Sequence, residues 1–209
     1  MSPVPTSPTL AGASLAVSQS GTGFSNDAPL FYASGGQLNI QIPWEARPFD
    51  TITVTPTVNG VKGDAVKVNI QFFAPGIFTV DQSGKGQGAV TNALTGQLAA
   101  PAAKYPNSQP VKRGGYLSIY CTGLGPVDNP SADGAAASAK PLANTVITPT
   151  VTIGTVTATV TFSGLAPGYI GLNQVNVQVP QTAPTGDAVP LSISDGFGGV
   201  SNTVTVAIQ

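Results

Sequence analysis

The sequence predicts an all-β chain of two tandem β-sandwiches joined by a segment that carries a hairpin. Three observations carry this expectation. Valine, isoleucine and threonine alternate with polar residues along short stretches, and those stretches are punctuated by 25 glycines and 19 prolines in 209 residues. One phrase, QLNIQIP at Gln37 to Pro43, returns almost unchanged as QVNVQVP at Gln174 to Pro180. Alternation with period two marks a half-buried strand, and dense Gly and Pro mark the turns between strands. A repeated phrase inside matching flanks marks a duplicated unit.

The elements follow in chain order. A Pro-rich leader, PVPTSPTL, opens the first unit, where the second unit has a strand. LFYASGGQ then leads into the repeated strand, with Leu38, Ile40 and Ile42 on one face and Gln37, Asn39 and Gln41 on the other. A one-residue slip would bury three amides at about 1–3 kcal/mol for each left unsatisfied, so the register is firmly set. TITVTPTVNGVKGDAVKVNIQ reads as strand, turn and strand, since Asn59-Gly60 tolerates positive φ at both positions. Residues 74–113 read as a connector holding APGIFT and a hairpin in GKGQGAVTNALTGQL.

The second unit opens with the strand GGYLSIYCTGLGPV, followed by a loop rich in Ala, Asp and Pro. TPTVTIG, TVTATVTFSG, the second copy of the repeated strand and the closing hairpin AVPLSISDGFGGVSNTVTVAIQ complete it, with a turn at Asp195-Gly196. Short strands in this number and spacing suit an immunoglobulin-like sandwich. The domain expectation is therefore 1–73, 74–113 and 114–209: two tandem immunoglobulin-like β-sandwiches with a connecting β-hairpin segment. The first unit has no counterpart of GGYLSIYCTGLG and is expected to lack its opening strand.

Composition narrows the function classes. Hydrophobic residues make up 41% of the chain and charged residues 8%, with formal net charge −1. Disorder calls for few β-branched residues and high net charge, the opposite of this chain. Nucleic acid is not an expected partner, because phosphate binding needs a concentrated basic surface, and only Lys112 and Arg113 are adjacent among the eight basic residues. No apolar run approaches the roughly 18 residues that span a bilayer. The start, MSPVPTSPTL, has neither the basic nor the apolar stretch of a signal peptide. The single cysteine, Cys121, excludes an intrachain disulfide and is expected to be a buried, inert thiol.

Signs of catalytic chemistry are sparse. Histidine is absent, which removes Ser-His-Asp and Cys-His catalysis and the common zinc sites. Gly84 to Gly88 is glycine-rich, but no helical pattern follows it to receive a phosphate, so it reads as a hairpin tip. Glu45, the one glutamate, stands beside Trp44, the one tryptophan; a carboxyl against an aromatic is the setting of a catalytic acid, and a solvated loop carboxylate is the alternative. Asp128, Asp133, Asp187 and Asp195 are candidate oxygen ligands for Ca²⁺, with solvated turn residues as the alternative. No other cofactor is expected. Phe31, Tyr32, Trp44, Tyr116, Tyr120 and Tyr169 could stack on sugar rings, with Asn and Gln bonding the hydroxyls; core packing is the competing role.

PVPTSPTLAGASLAV, APLFYASGGQLNIQIPWE, APGIFTVD, GQGAVTNALTGQL, YLSIYCTGLGPV, FSGLAPGYIGLNQVNVQVP and GGVSNTVTVAI occur in an order that resembles a C-terminal region of secreted acidobacterial proteins of the Solibacter type. The second unit is also similar to IPT/TIG immunoglobulin-like modules. The resemblance implies an extracellular or cell-surface, non-catalytic appendage, with no active-site residues to carry over. The expected role is thus a binding or structural module. Alternatives are carbohydrate binding or adhesion through Tyr32, Trp44 and Tyr169, partnership with another protein, self-association by strand addition at an open sheet edge, and a hydrolase with an unfamiliar site around Glu45 or a Ser/Lys pair.

Overall fold

The computed structural model describes residues 7–195 and 198–209. Every regular element among them is a β-strand, and every strand pairing is antiparallel. The chain divides into two compact units. Unit 1 comprises Met1–Phe72, Pro130–Pro141 and Pro167–Gly171; unit 2 comprises Phe73–Asn129, Leu142–Ala166 and Leu172–Gln209.

In unit 1, β1 (Ala13–Gln19) pairs with β2 (Phe24–Asp27) on one side and with β5 (Asp50–Val58) on the other. β5 turns through Asn59-Gly60 into β6 (Val61–Lys62) and also pairs with β7 (Val66–Ile70). Asn59 and Gly60 take φ of 50° and 81°, the pair of left-handed conformations a two-residue hairpin demands. β3 (Leu30–Ser34) and β4 (Gln37–Ile40) form a separate hairpin. Alternation along the β1–β5–β7 sheet divides its faces. Ser14, Ser18, Thr51, Thr53, Lys67 and Asn69 share one, on which Thr51 bonds Asn69 at 2.8 Å. The other carries Val17, Ile52, Val54, Val66, Val68 and Ile70. The core on that side is small: Val17, Ala28 and Ile52, with Phe24, Ile40, Ala46, Val54 and Ile70 packed around them.

Unit 2 repeats this plan and adds to it. β11 (Thr150–Ile153) pairs with β12 (Val156–Leu165) and β14 (Gly186–Ser194), and β14 pairs with β15 (Val204–Ile208). The order β12-β11-β14-β15 therefore matches β2-β1-β5-β7. β12 runs on past a bulge between Val160 and Phe162 to pair with β13 (Asn173–Gln178), and β13 pairs on its other side with β10 (Tyr116–Thr122). β12 thus serves both sheets, which is how a long bulged strand turns the corner of a sandwich.

The segment expected as a connector belongs to unit 2. Its β8 (Gly76–Ile77) and β9 (Val90–Asn92) both pair with β10. Its irregular parts run along the outer edge of β15: Gly88 N–H donates to Thr205 O at 2.9 Å, Ala207 N–H to Ala99 O at 2.9 Å, and Val111 N–H to Ala207 O at 2.9 Å. A Cβ on Gly88 would lie 2.7 Å from Val204 and 2.9 Å from Val90, so only glycine admits this approach. The loop expected inside the second repeat goes the other way, since 130–141 falls in unit 1. The expected turn at Asp195-Gly196 lies in part outside the described residues; on its described flanks Asp195 N–H donates to Gly199 O at 3.1 Å, and its Oδ1 accepts Gly199 N–H at 2.9 Å.

Candidate functional site

The repeated strand supplies the reference frame. In β4, Gln37 Nε2 donates to Asn39 Oδ1 at 2.6 Å; in β13, Gln174 Nε2 donates to Asn176 Oδ1 at 2.9 Å. The backbone agrees as well. Gln41 N–H donates to Pro29 O at 2.9 Å, toward β3, so by alternation along an antiparallel strand the N–H groups of Leu38 and Ile40 point to the opposite edge. In β13 that opposite edge is occupied: Val179 N–H donates to Gly115 O at 2.8 Å, which turns Val175 and Val177 toward β10. β3 takes the place that the second half of β12 holds in unit 2. Among the described residues no strand holds the place of β10 beside β4, which pairs with β3 alone.

Unit 1 also leaves apolar surface open. Val66 and Val68 are 55% and 39% exposed, whereas Val204 and Val206, which hold the corresponding positions in β15, are at 0%. Leu117, Ile119 and Cys121 of β10 are fully buried in unit 2. Among the described residues unit 1 therefore shows an unpaired strand edge and, separately, an exposed apolar stretch, two features that favour strand addition.

A second cluster forms where β4 runs into the Trp44–Glu45 loop. Gln19, 3% exposed, grips that loop from β1: its Nε2 donates to Arg47 O at 3.0 Å and its Oε1 accepts Arg47 N–H at 2.9 Å. Loop 130–141 closes on the same segment. Asp133 Oδ1 accepts Trp44 N–H at 3.2 Å, and Gln41 Oε1 accepts Gly134 N–H at 2.8 Å. Burial pushes the Asp133 carboxyl above the usual carboxylate range; the bond from Trp44 N–H opposes this, while the neighbouring Glu45 charge adds to it. Trp44 Nε1 is buried without a hydrogen-bond partner among the described residues. A polar cleft of about 410 Å³ lies beside Asp133, lined by Pro8, Asn26, Asp27, Pro29 and Gly134.

The other expected site residues are dispersed. Glu45 is exposed and meets Asp133. Tyr32 is 49% exposed on β3 and Tyr169 is 42% exposed in the 167–171 stretch, whereas Trp44 is only partly accessible. Tyr116 and Tyr120 stand opposite Gln178 and Gln174 across the β10–β13 ladder. Asp187 is exposed at the start of β14. Asp128 is occupied by Asn144, whose N–H and Nδ2 donate to it at 2.8 and 3.0 Å and hold its pKa below the ordinary value. No three His, Cys, Asp or Glu side chains come together to form a metal-binding group among the described residues. Burial pushes the Cys121 thiol up to about 12.

Sequence reasoning missed Gln19 and Gln41. Both lie in alternating strand patterns, where a buried amide is visible only once its distant backbone partner is known. Compared with known proteins, no family model matches this chain, and neither a curated protein nor a solved structure matches it.

Proposed function

We propose that the chain is a non-catalytic binding or structural module of a secreted or surface protein. The observation that carries this reading is the contrast between the two units: the same strand plan is fully covered in unit 2 and left with exposed Val66 and Val68 in unit 1. Exposed apolar surface beside an unpaired edge is costly in solution unless a partner uses it. The resemblance to appendages of secreted acidobacterial proteins supports the same role and the extracellular setting.

Carbohydrate binding is the second reading. It draws on the exposed Tyr32 and Tyr169, and on Tyr116 and Tyr120 facing an amide row at Gln174 and Gln178. Aromatic faces beside amides suit sugar rings and their hydroxyls.

The test is retention of the intact chain on immobilised envelope proteins and on polysaccharides, run beside ester, glycoside and peptide hydrolysis. Retention without turnover is expected. Turnover abolished by Glu45→Gln or Asp133→Asn would instead assign the carboxyl pair to catalysis. Retention on polysaccharide alone, lost on Tyr169→Ala, would transfer the role to sugar binding.

A further inference from the structure

We infer that the outer face of unit 2, across β10, β13 and β12, binds an extended run of a neutral, linear polysaccharide. This inference rests on the carbohydrate reading above and gives it a site and a ligand class. Alternation divides these strands into two faces. Leu117, Ile119 and Cys121 are buried at 0% exposure together with Val175 and Val177. Tyr116, Ser118 and Tyr120 therefore turn outward, opposite Gln178, Asn176 and Gln174. Beyond β13, the bulge in β12 sets Phe162 opposite Asn176 and leaves Thr159 opposite Gln178. The Phe162 ring lies against Gly164, where a Cβ would come within 3.0 Å of it. On the other side of β10, Phe78 follows the buried Ile77, is 46% exposed, and donates its N–H to Tyr120 O at 3.1 Å.

Three properties of this face fit a neutral sugar chain. It is uncharged: β8, β9, β10, β12 and β13 contain no Asp, Glu, Lys or Arg, so nothing there answers the charge of an acidic polymer. Its outward tyrosines are spaced for a chain, since four residues along one strand span about 13 Å. A single sugar ring cannot reach both Tyr116 and Tyr120, whereas an oligomer lying along β10 can. Between the rings lie hydrogen-bonding groups that the fold does not use. Gln174 Nε2 donates to Asn176 Oδ1 at 2.9 Å and Gln178 Nε2 to Gly114 O at 3.1 Å. Gln174 Oε1, Gln178 Oε1 and Asn176 Nδ2 are left without a partner among the described residues. Two acceptors and a donor beside aromatic rings suit the hydroxyls and the apolar face of a pyranose. A protein interface has an apolar centre and a polar rim; here Ser118 and Asn176 make the centre polar.

The experiment is affinity electrophoresis of the full chain through gels holding mixed-linkage glucan, xylan or galactomannan, with alginate as the charged polymer. Retardation by at least one neutral polymer and none by alginate is expected. Tyr116→Ala and Tyr120→Ala each weaken it about tenfold, the loss expected of a stacking ring. Asn176→Leu, of similar volume, weakens it as well. Tyr32→Ala and Tyr169→Ala, at exposed positions of unit 1, leave it unchanged. Slow labelling of Cys121, whose neighbour in β10 is Tyr120, checks that each variant keeps unit 2 closed.

Retardation that survives Tyr116→Ala and Tyr120→Ala but is lost in Tyr169→Ala overturns this site and leaves the carbohydrate reading standing. Equal retardation by alginate overturns the neutral ligand class. No retardation by any neutral polymer overturns both this inference and the carbohydrate reading, and the module reading then rests on envelope proteins alone.

Discussion

Val66, Val68 and Ile70 in β7 and Val204, Val206 and Ile208 in β15 are the same three-residue pattern in the same place of the same strand order. Their environments differ sharply. The second set is 0–2% exposed, and the first two residues of the other set are 55% and 39% exposed. The valine face itself is not the cause, since its three apolar positions match; the other face differs, with Lys67 and Asn69 in β7 against Thr205 and the buried Ala207 in β15. The difference lies in what each unit adds. Unit 2 recruits residues 76–113 along β15 and β10 beside β13; among the described residues unit 1 shows no equivalent of either. Burial is a property of the unit, and a strand pattern states only which face is ready for it.

Ways to break this comparison follow, from the largest effect to the smallest. Cys121 should resist alkylation at pH 8 by at least about a thousandfold relative to an open thiol, because burial holds it protonated, and should react only when unit 2 opens. Fast labelling of the native chain would show that the covered unit is loose. Next, Ile119→Ala should cost unit 2 about 2–5 kcal/mol, the usual result of a cavity at a fully buried position. The urea dependence of Cys121 labelling reads that loss. Trp44 fluorescence, which reports on unit 1, should shift far less.

The sharpest pair is Val206→Ala against Val68→Ala. Removing equivalent methyl groups should cost about 1.5–3 kcal/mol at the covered position and under about 1 kcal/mol at the open one. Equal costs would mean that Val68 is covered in solution. The smallest effect belongs to Asp133. Its raised folded-state pKa means that the folded chain holds the proton more firmly than the unfolded chain between the ordinary value of 3.8 and the raised one. Stability therefore falls as pH rises through that window, and the deficit persists above it. Asp133→Asn keeps an oxygen for Trp44 N–H and removes the charge. It should stabilise unit 1 at pH 7 by less than about 1 kcal/mol after solvent screening and change nothing at pH 3, as followed by Trp44 fluorescence in urea.

Local rules made much of this fold legible. Alternation located β4 and β13, Asn59-Gly60 located a hairpin, and the repeated phrase carries the same Gln-to-Asn bond in both copies. What escaped the sequence was long-range and irregular. Gly88, Ala99 and Val111 edge β15 through isolated backbone bonds, and such bonds leave no periodic trace. The 130–141 loop reads as an ordinary polar turn, yet Asp133 and Gly134 bond Trp44 and Gln41 far away in the chain. The candidate site was visible as an absence, the missing counterpart of GGYLSIYCTGLG. Its valines were hidden, because in the sequence they look like core residues.

Hydrogen exchange on the full chain tests the central contrast most directly, through equivalent amides. The account predicts that Val175 and Val177, facing β10, exchange slowly, as ladder-bound amides of a covered core do. Leu38 and Ile40 should exchange orders of magnitude faster, while Gln41, bonded to Pro29, stays protected. Equal protection at Leu38 and Val175 would contradict the open edge, and with it the contrast between the two units.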